Sequence, residues 1–149
     1  MKEISLYIIA FLGGIFLAVQ AGFNSQLGNY LKQPIFAVIV TSVGSTFFGI
    51  LLASLLAKKT PTITLLADVP WYLWFIGAFF SMLGISFYFY TIPKLGISKV
   101  IALGLCGQLL FSFLAGSYGW LHLPVEMITP KRILGILAMI IGVFLLNMK

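Results

Sequence analysis

Acidic side chains are almost absent from this chain, and so are cysteine and histidine. Its 149 residues include three carboxylates, one histidine and one cysteine, and only 8% are charged. Ordinary globular domains carry about 25% charged residues. A soluble domain this apolar would have too little polar surface to cover its core, so the composition excludes an ordinary water-soluble domain. Because Cys106 is the only thiol, an intrachain disulfide is excluded as well.

The same scarcity limits the chemistry that the chain can perform. Apart from Lys99, which is close enough to a helix end to snorkel, no Asp, Glu, Lys, Arg or His lies between the ends of the predicted helices. Proton relays and ion pathways usually place such groups there. The sequence also lacks a nucleophile–base pair, a metal-ligand spacing and a phosphate-binding loop. We therefore predict that the protein is not an enzyme and that it uses no metal or other cofactor.

Hydrophobic residues are abundant instead, at 61% of the chain with a mean hydropathy of +1.13. A helix needs about 20 apolar residues to cross the ~30 Å hydrocarbon layer of a bilayer. The apolar runs do not alternate as barrel strands do, so we expect helices. We predict an all-α integral membrane protein with one domain over residues 1–149. Its five transmembrane helices are expected at about residues 4–22, 35–57, 71–92, 97–116 and 131–148.

Polar segments and prolines separate these runs. Residues 24–33 form a polar segment before Pro34, and we predict a loop at 60–69, a tight turn at 93–96 and a loop at 117–129. The first run resembles a signal peptide, but it is longer than a usual signal core and four further runs follow it. We therefore expect it to be a retained helix.

The nine basic residues, which give a net charge of +6, lie at the ends of the apolar runs. This is typical of side chains that anchor helices at the headgroup level, and no basic patch interleaved with aromatics predicts nucleic-acid binding. Five basic residues fall on the face of the N-terminus and four on the opposite face. Such a small asymmetry leaves two alternatives: the chain inserts one way, or it inserts both ways, which would allow an antiparallel homodimer.

Small residues recur every four positions in two of the predicted helices, over residues 10–22 and 41–57. Such stripes let helix backbones approach closely in lipid, so we interpret them as packing faces.

Uncharged polar side chains are the best candidates for a binding site. Gln20 and Asn24 are four residues apart and therefore share one face of the first helix. Gln108 lies deep in the fourth run, so we expect it to be a buried site residue. An unpaired amide in hydrocarbon costs several kcal/mol, so each amide must meet substrate, water or another helix. The predicted substrate-binding residues are Gln20, Asn24, Ser45, Tyr88, Gln108 and Ser112.

Two segments carry a resemblance to a known family: LAVQAGFNSQLG at residues 17–28 and IPKLGISKVIALGLCGQLLFSF at residues 92–113. They resemble the five-span YdcZ family of the drug/metabolite transporter superfamily, and the resemblance covers nearly the whole chain. After the fourth helix that family often has Asp-His-Phe-Gly, where this chain has GSYG at 116–119. Any role of that acid and histidine therefore does not transfer. The resemblance implies a 4+1 helix arrangement and a half-transporter that pairs with an inverted copy, as in other transporters built from inverted units.

Together these features predict a multi-pass protein of the inner (cytoplasmic) membrane. We expect a small-molecule transporter, acting as an exporter by alternating access in an antiparallel homodimer, with membrane lipid and the substrate as its other partners. The lack of an embedded carboxylate favours a neutral or zwitterionic metabolite, or passive transport. The alternative from another class is a non-transporting membrane scaffold or accessory subunit, in which every stripe serves packing.

Overall fold

The computed structural model describes residues 2–57, 60–122 and 124–148. No strand occurs in these ranges, which confirms the predicted all-α class. Within them, four helices are long and apolar enough to cross a membrane, at Ile4–Tyr30, Pro34–Leu56, Leu73–Leu95 and Ile97–Tyr118. A further long helix covers Pro130–Asn147. The helices are α1 (Lys2–Tyr30), α2 (Pro34–Leu56), α3 (Ile63–Ala67), α4 (Leu73–Leu95), α5 (Ile97–Tyr118) and α6 (Pro130–Asn147), with one 3-10 turn at Trp120–His122.

α1 is longer than the apolar run that predicts it. We expected the helix to end at Gly22 and a polar segment to follow from Asn24, whereas α1 continues to Tyr30. Backbone hydrogen bonds within a helix do not depend on apolar side chains, so the helix extends past the apolar run. Its 29 residues correspond to about 43 Å at 1.5 Å per residue, more than the ~30 Å hydrocarbon layer. Gln20 and Asn24 therefore lie in one continuous helix.

A Schellman motif ends α1. The amide of Lys32 donates to the Asn29 carbonyl at 3.1 Å, and the amide of Gln33 donates to the Gly28 carbonyl at 3.1 Å. Lys32 has φ 56°, the left-handed conformation that usually selects glycine at this position. The chain therefore reverses within three residues, and α2 returns directly alongside α1.

The boundaries of α4 also differ from the prediction. The helix begins at Leu73 rather than at 71, and it continues through Pro93 to Leu95, where we predicted a tight turn. Pro93 lies in the last turn, where its missing amide removes a single helical hydrogen bond. Gly96, with φ 87°, then ends the helix. The connection at 60–69, predicted as a loop, contains the short helix α3.

The chain divides into two compact units, Met1–Lys94 and Leu95–Lys149. In the first unit, α1 and α2 form an antiparallel hairpin, and Phe89 of α4 packs against Ala37 and Val38 of α2. In the second unit, α5 packs against α6. A single membrane domain stays a prediction.

α1 and α2 are in close contact near the turn between them. Ala21, Ser25 and Gly28 are buried there. A Cβ atom added at Gly28 would lie 3.4 Å from Cα of Pro34 and 3.6 Å from Cβ of Ala37. By contrast, a Cβ at Gly14, within the predicted packing stripe, would meet nothing within 4 Å. Within this unit, α1 is therefore in close contact near the turn, whereas Gly14, on the same side of the helix, is uncovered.

Candidate substrate-binding site

The first unit places the predicted amides next to a buried cluster. Gln20 and Asn24 are both half-buried on α1, and Leu27 continues the same face one turn further on. Leu27 packs against the cluster of Ala37, Val38 and Phe89, and Tyr88 packs against the same cluster from α4. The amides therefore extend from this cluster along α1 toward the middle of the helix.

Ser45 lies at about the same depth as Gln20. The two residues are each seven positions from a residue of the cluster region, Val38 and Leu27 respectively, which is about 10 Å along a helix. Since α1 and α2 are antiparallel, both paths lead away from the turn. Ser45 is exposed within this unit. Four of the six predicted residues thus lie within about two helical turns of one buried cluster.

The second unit contains the other two predicted residues. We expected Gln108 to be buried, but its side chain is exposed on α5 within this unit. Ser112, one turn further along α5, donates a hydrogen bond from Oγ to the carbonyl of Leu109 at 3.0 Å. Ser112 also lines a pocket, whereas Gln108 is not among the residues that line it.

This pocket, of about 480 Å³, is formed by α5, α6 and the segment between them. Most of its wall is apolar, and its charged residues are Glu126 and Arg132. Such a volume falls in the range of small-molecule sites, about 300–1,000 Å³. The lining residues are Leu109, Phe111, Ser112, Phe113, Ala115, Gly116, Pro124, Glu126, Arg132, Gly135, Ile136 and Met139.

Glu126 ties the segment before α6 to both helices. Its amide donates to the Gly116 carbonyl at 2.9 Å, and its carboxylate forms an ion pair with Arg132. The guanidinium also donates from Nη1 to the carbonyl of Met127 at 3.1 Å. At the start of α6, Thr129 accepts a hydrogen bond from the amide of Arg132. The Glu126 side chain lies over Gly116, where a Cβ would be in van der Waals contact with Oε2 of Glu126 at 3.5 Å.

Sequence reasoning missed the pair of Glu126 and Arg132. We interpreted the first as a loop residue and the second as one of the basic residues that open a helix. The two are six positions apart across a non-helical segment, so no helical periodicity connects them. The available signal was an acid and a base on either side of a proline that begins a helix.

Further pockets occur in the described ranges. One, of about 490 Å³, is an apolar groove between α5 and α6 that includes Gly142 and shares Met139 with the first pocket. Another, of about 460 Å³, lies at the end of α1 against Gln26, Asn29 and Tyr30. Within the part of the chain that the structure describes, no three His, Cys, Asp or Glu residues lie together as metal ligands would.

Comparison with known proteins gives one family. A family model described as "Putative inner membrane exporter, YdcZ" matches residues 5–145, from the first helix to the last. No curated protein matches the chain, and no solved structure matches it.

Proposed function

Because the chain belongs to the YdcZ family of inner membrane exporters, we propose that it exports a small neutral or zwitterionic metabolite. Membership confirms the resemblance drawn from residues 17–28 and 92–113, and it makes the chain a multi-pass protein of the inner membrane. The family is one of transporters rather than enzymes.

The half-buried amides of α1 carry the proposal. Gln20 and Asn24 each offer two donors and an acceptor without any charge, so they suit a substrate whose charges are absent or balanced. They lie on one face, beside the cluster that includes Tyr88. The middle of each long helix in the described ranges lacks an Asp, Glu, Lys, Arg or His side chain, the groups that usually couple transport to a proton.

The working unit in this proposal is an antiparallel homodimer. The near balance of basic residues between the two faces supports insertion in both orientations. Ser45, Gln108 and Ser112 are exposed in a single copy, where they remain available to a second one. Two inverted copies would then surround a substrate near the midplane and open to each side in turn.

Transport is tested by removing the amides. In Gln20→Leu/Asn24→Leu the hydrogen-bonding groups are lost while similar volume is kept, and we expect export to fall at least about tenfold. The measurement compares metabolites retained by cells that express each variant, followed by flux of the affected metabolite from proteoliposomes. Gln26→Leu is the matched control, since Gln26 is an exposed amide on another face of α1. Equal flux in the unmodified protein, in Gln20→Leu/Asn24→Leu and in Gln26→Leu would contradict the proposed site.

Gln108→Ala tests the contribution of α5 separately. We expect weaker transport with unchanged protein abundance, because the exposed amide is proposed to face substrate across the dimer. Unchanged transport would remove Gln108 from the site. Absence of flux for every metabolite, in the unmodified protein as well, would favour the scaffold alternative.

The dimer arrangement is tested with single cysteines in a Cys106→Ala background. Gln33→Cys and Thr62→Cys place a thiol at opposite ends of α2. If the chain inserts both ways, an impermeant maleimide added to intact cells should label about half of each variant. Complete labelling of one and none of the other would contradict the antiparallel pair.

A further inference from the structure

An ion pair stands at one end of an otherwise apolar pocket in the second unit. The side chain of Arg132 is 35% exposed and that of Glu126 is 55% exposed, so both still reach solvent. The aromatic residues Phe111 and Phe113 and the side chain of Met139 form much of the apolar wall. A charged end and an apolar interior are the features of a site for an amphipathic molecule.

The guanidinium of Arg132 has capacity beyond its present partners. It carries five N–H donors, of which one nitrogen contacts Glu126 and another donates to the Met127 carbonyl. Arginine binds carboxylates in a two-pronged geometry that is stronger than a neutral hydrogen bond. An incoming carboxylate can therefore take the place of the Glu126 side chain without changing the chemistry around the guanidinium.

The positions of Arg132 and Glu126 indicate that the ligand carries a negative charge. Arg132 is held in the first turn of α6, next to Lys131 and close to the positive end of the helix dipole. Glu126 lies in the non-helical segment before that helix. The Glu126 amide is bonded to the Gly116 carbonyl, so only its side chain has to move. That movement leaves a positive site at Arg132, which attracts an anion and repels a cation.

The pocket has room for an apolar body. A Cβ atom at Gly135 would meet nothing within 4 Å, and the same holds at Gly142 in the neighbouring groove. Because Met139 lines both pockets, the apolar surface continues along the seam between α5 and α6. The ligand that fits this pocket has a carboxylate at one end and a hydrocarbon chain behind it.

We propose that the α5–α6 pocket binds an amphipathic monocarboxylate, whose head displaces Glu126 from Arg132 and whose hydrocarbon chain lies along Gly135 and Met139. Without a ligand, the Glu126 carboxylate occupies the position on Arg132 that the ligand carboxylate is proposed to take. The pocket includes Ser112, one of the substrate-binding residues proposed above, but no amide of α1 lines it, and its occupancy can be measured without transport.

The test uses the full chain in phosphatidylcholine nanodiscs with bromodecanoate as the probe. Trp71→Phe and Trp74→Phe leave Trp120 as the only tryptophan. The Trp120 ring lies 6.4 Å from the ring of Phe111, a wall residue of the pocket, so bromine in the pocket quenches its fluorescence. We expect saturable quenching, which decanoate reverses and decyltrimethylammonium does not.

Opposite effects of the two charges are the decisive result. Arg132→Gln should weaken binding about tenfold, and Glu126→Gln should tighten it about threefold by removing the competing carboxylate. A misfolded variant cannot produce the second result. Lys131→Gln, which alters a neighbouring charge outside the pocket wall, should change the affinity less than Arg132→Gln does.

Filling the pocket tests its position. Gly135→Leu should reduce bromodecanoate binding at unchanged protein abundance, because a Cβ there meets open space. The proposal is overturned if Glu126→Gln and Arg132→Gln shift affinity in the same direction, or if the cationic probe competes equally. It is also overturned if phosphatidylglycerol in the nanodisc abolishes decanoate binding, since a lipid headgroup would then be the occupant.

Discussion

The two helical hairpins of the chain are built from similar apolar helices but pack in different ways. Between α1 and α2 the connection is three residues, and Gly28 lets the backbone of α2 approach closely. Between α5 and α6 the connection runs over residues 119–129, and Gly135 and Gly142 face open space. The first hairpin is in close contact at its turn, whereas the second leaves two pockets along its seam.

The difference shows how small residues can serve either packing or space. A glycine next to a short turn is covered by the returning helix, which gains dispersion contacts between backbones. Gly135 of α6 is not covered, so its missing side chain becomes part of a pocket. The long connection then contributes side chains to the wall of that pocket, among them Glu126.

Gly28→Leu should have the largest effect on stability. Its side chain would collide with Pro34 and Ala37, and overpacking of this kind costs about 1–3 kcal/mol; we expect the upper end, since one of the contacts is backbone. Stability would be measured as the free energy of unfolding in mixed micelles. Gly135→Leu is the matched change in the open hairpin and should cost much less. Equal losses would show that the hairpins do not differ in this way.

Gly119→Ala should come next, with a loss of about 1 kcal/mol. Gly119 ends α5 in the left-handed conformation, at φ 64°, which a Cβ atom disfavours. Gly107→Ala within the same helix is the control, because its added methyl group meets open space and alanine favours helix. A neutral Gly119→Ala combined with a destabilised Gly107→Ala would contradict this account.

The helical fold was predictable because length and hydropathy alone decide whether a run can span lipid. The ends of the helices were less predictable from the sequence. Polar residues between Asn24 and Tyr30 indicated a loop, yet the helix continues to Tyr30 and is ended by the turn at the left-handed Lys32. Pro93 likewise indicated a turn, although a proline in the last turn of a helix removes only one hydrogen bond.

The candidate site was predictable only where it follows helical periodicity. The four-residue spacing of Gln20 and Asn24 was enough to place them on one face. The contact between Glu126 and Arg132 depends on the path of a connection, which periodicity does not describe. Burial of Gln108 was inferred from its depth in an apolar run, but depth in a helix does not determine which face meets a neighbour.

Lys32→Gly should stabilise the short turn between α1 and α2. Relief of the left-handed strain, about 1–2 kcal/mol, is partly offset by the greater freedom of glycine in the unfolded chain, so we expect a net gain below about 1 kcal/mol. Lys32→Ala removes the same charge but keeps the Cβ atom, and it should bring no such gain. If both variants gain equally, charge rather than backbone conformation limits this turn.

Thr129→Ala should have the smallest effect, a loss of about 0.5 kcal/mol, at the low end for helix caps. The Thr129 side chain accepts from the Arg132 amide at 3.4 Å, a long bond, whereas Gln33 at the start of α2 provides no side-chain cap at all. Thr129→Ser keeps the acceptor and should retain the stability. A loss well above 1 kcal/mol in Thr129→Ala would mean that this residue also holds the Glu126 segment over the pocket. In that case bromodecanoate binding should change in the same variant, because the pocket between α5 and α6 would depend on this helix cap.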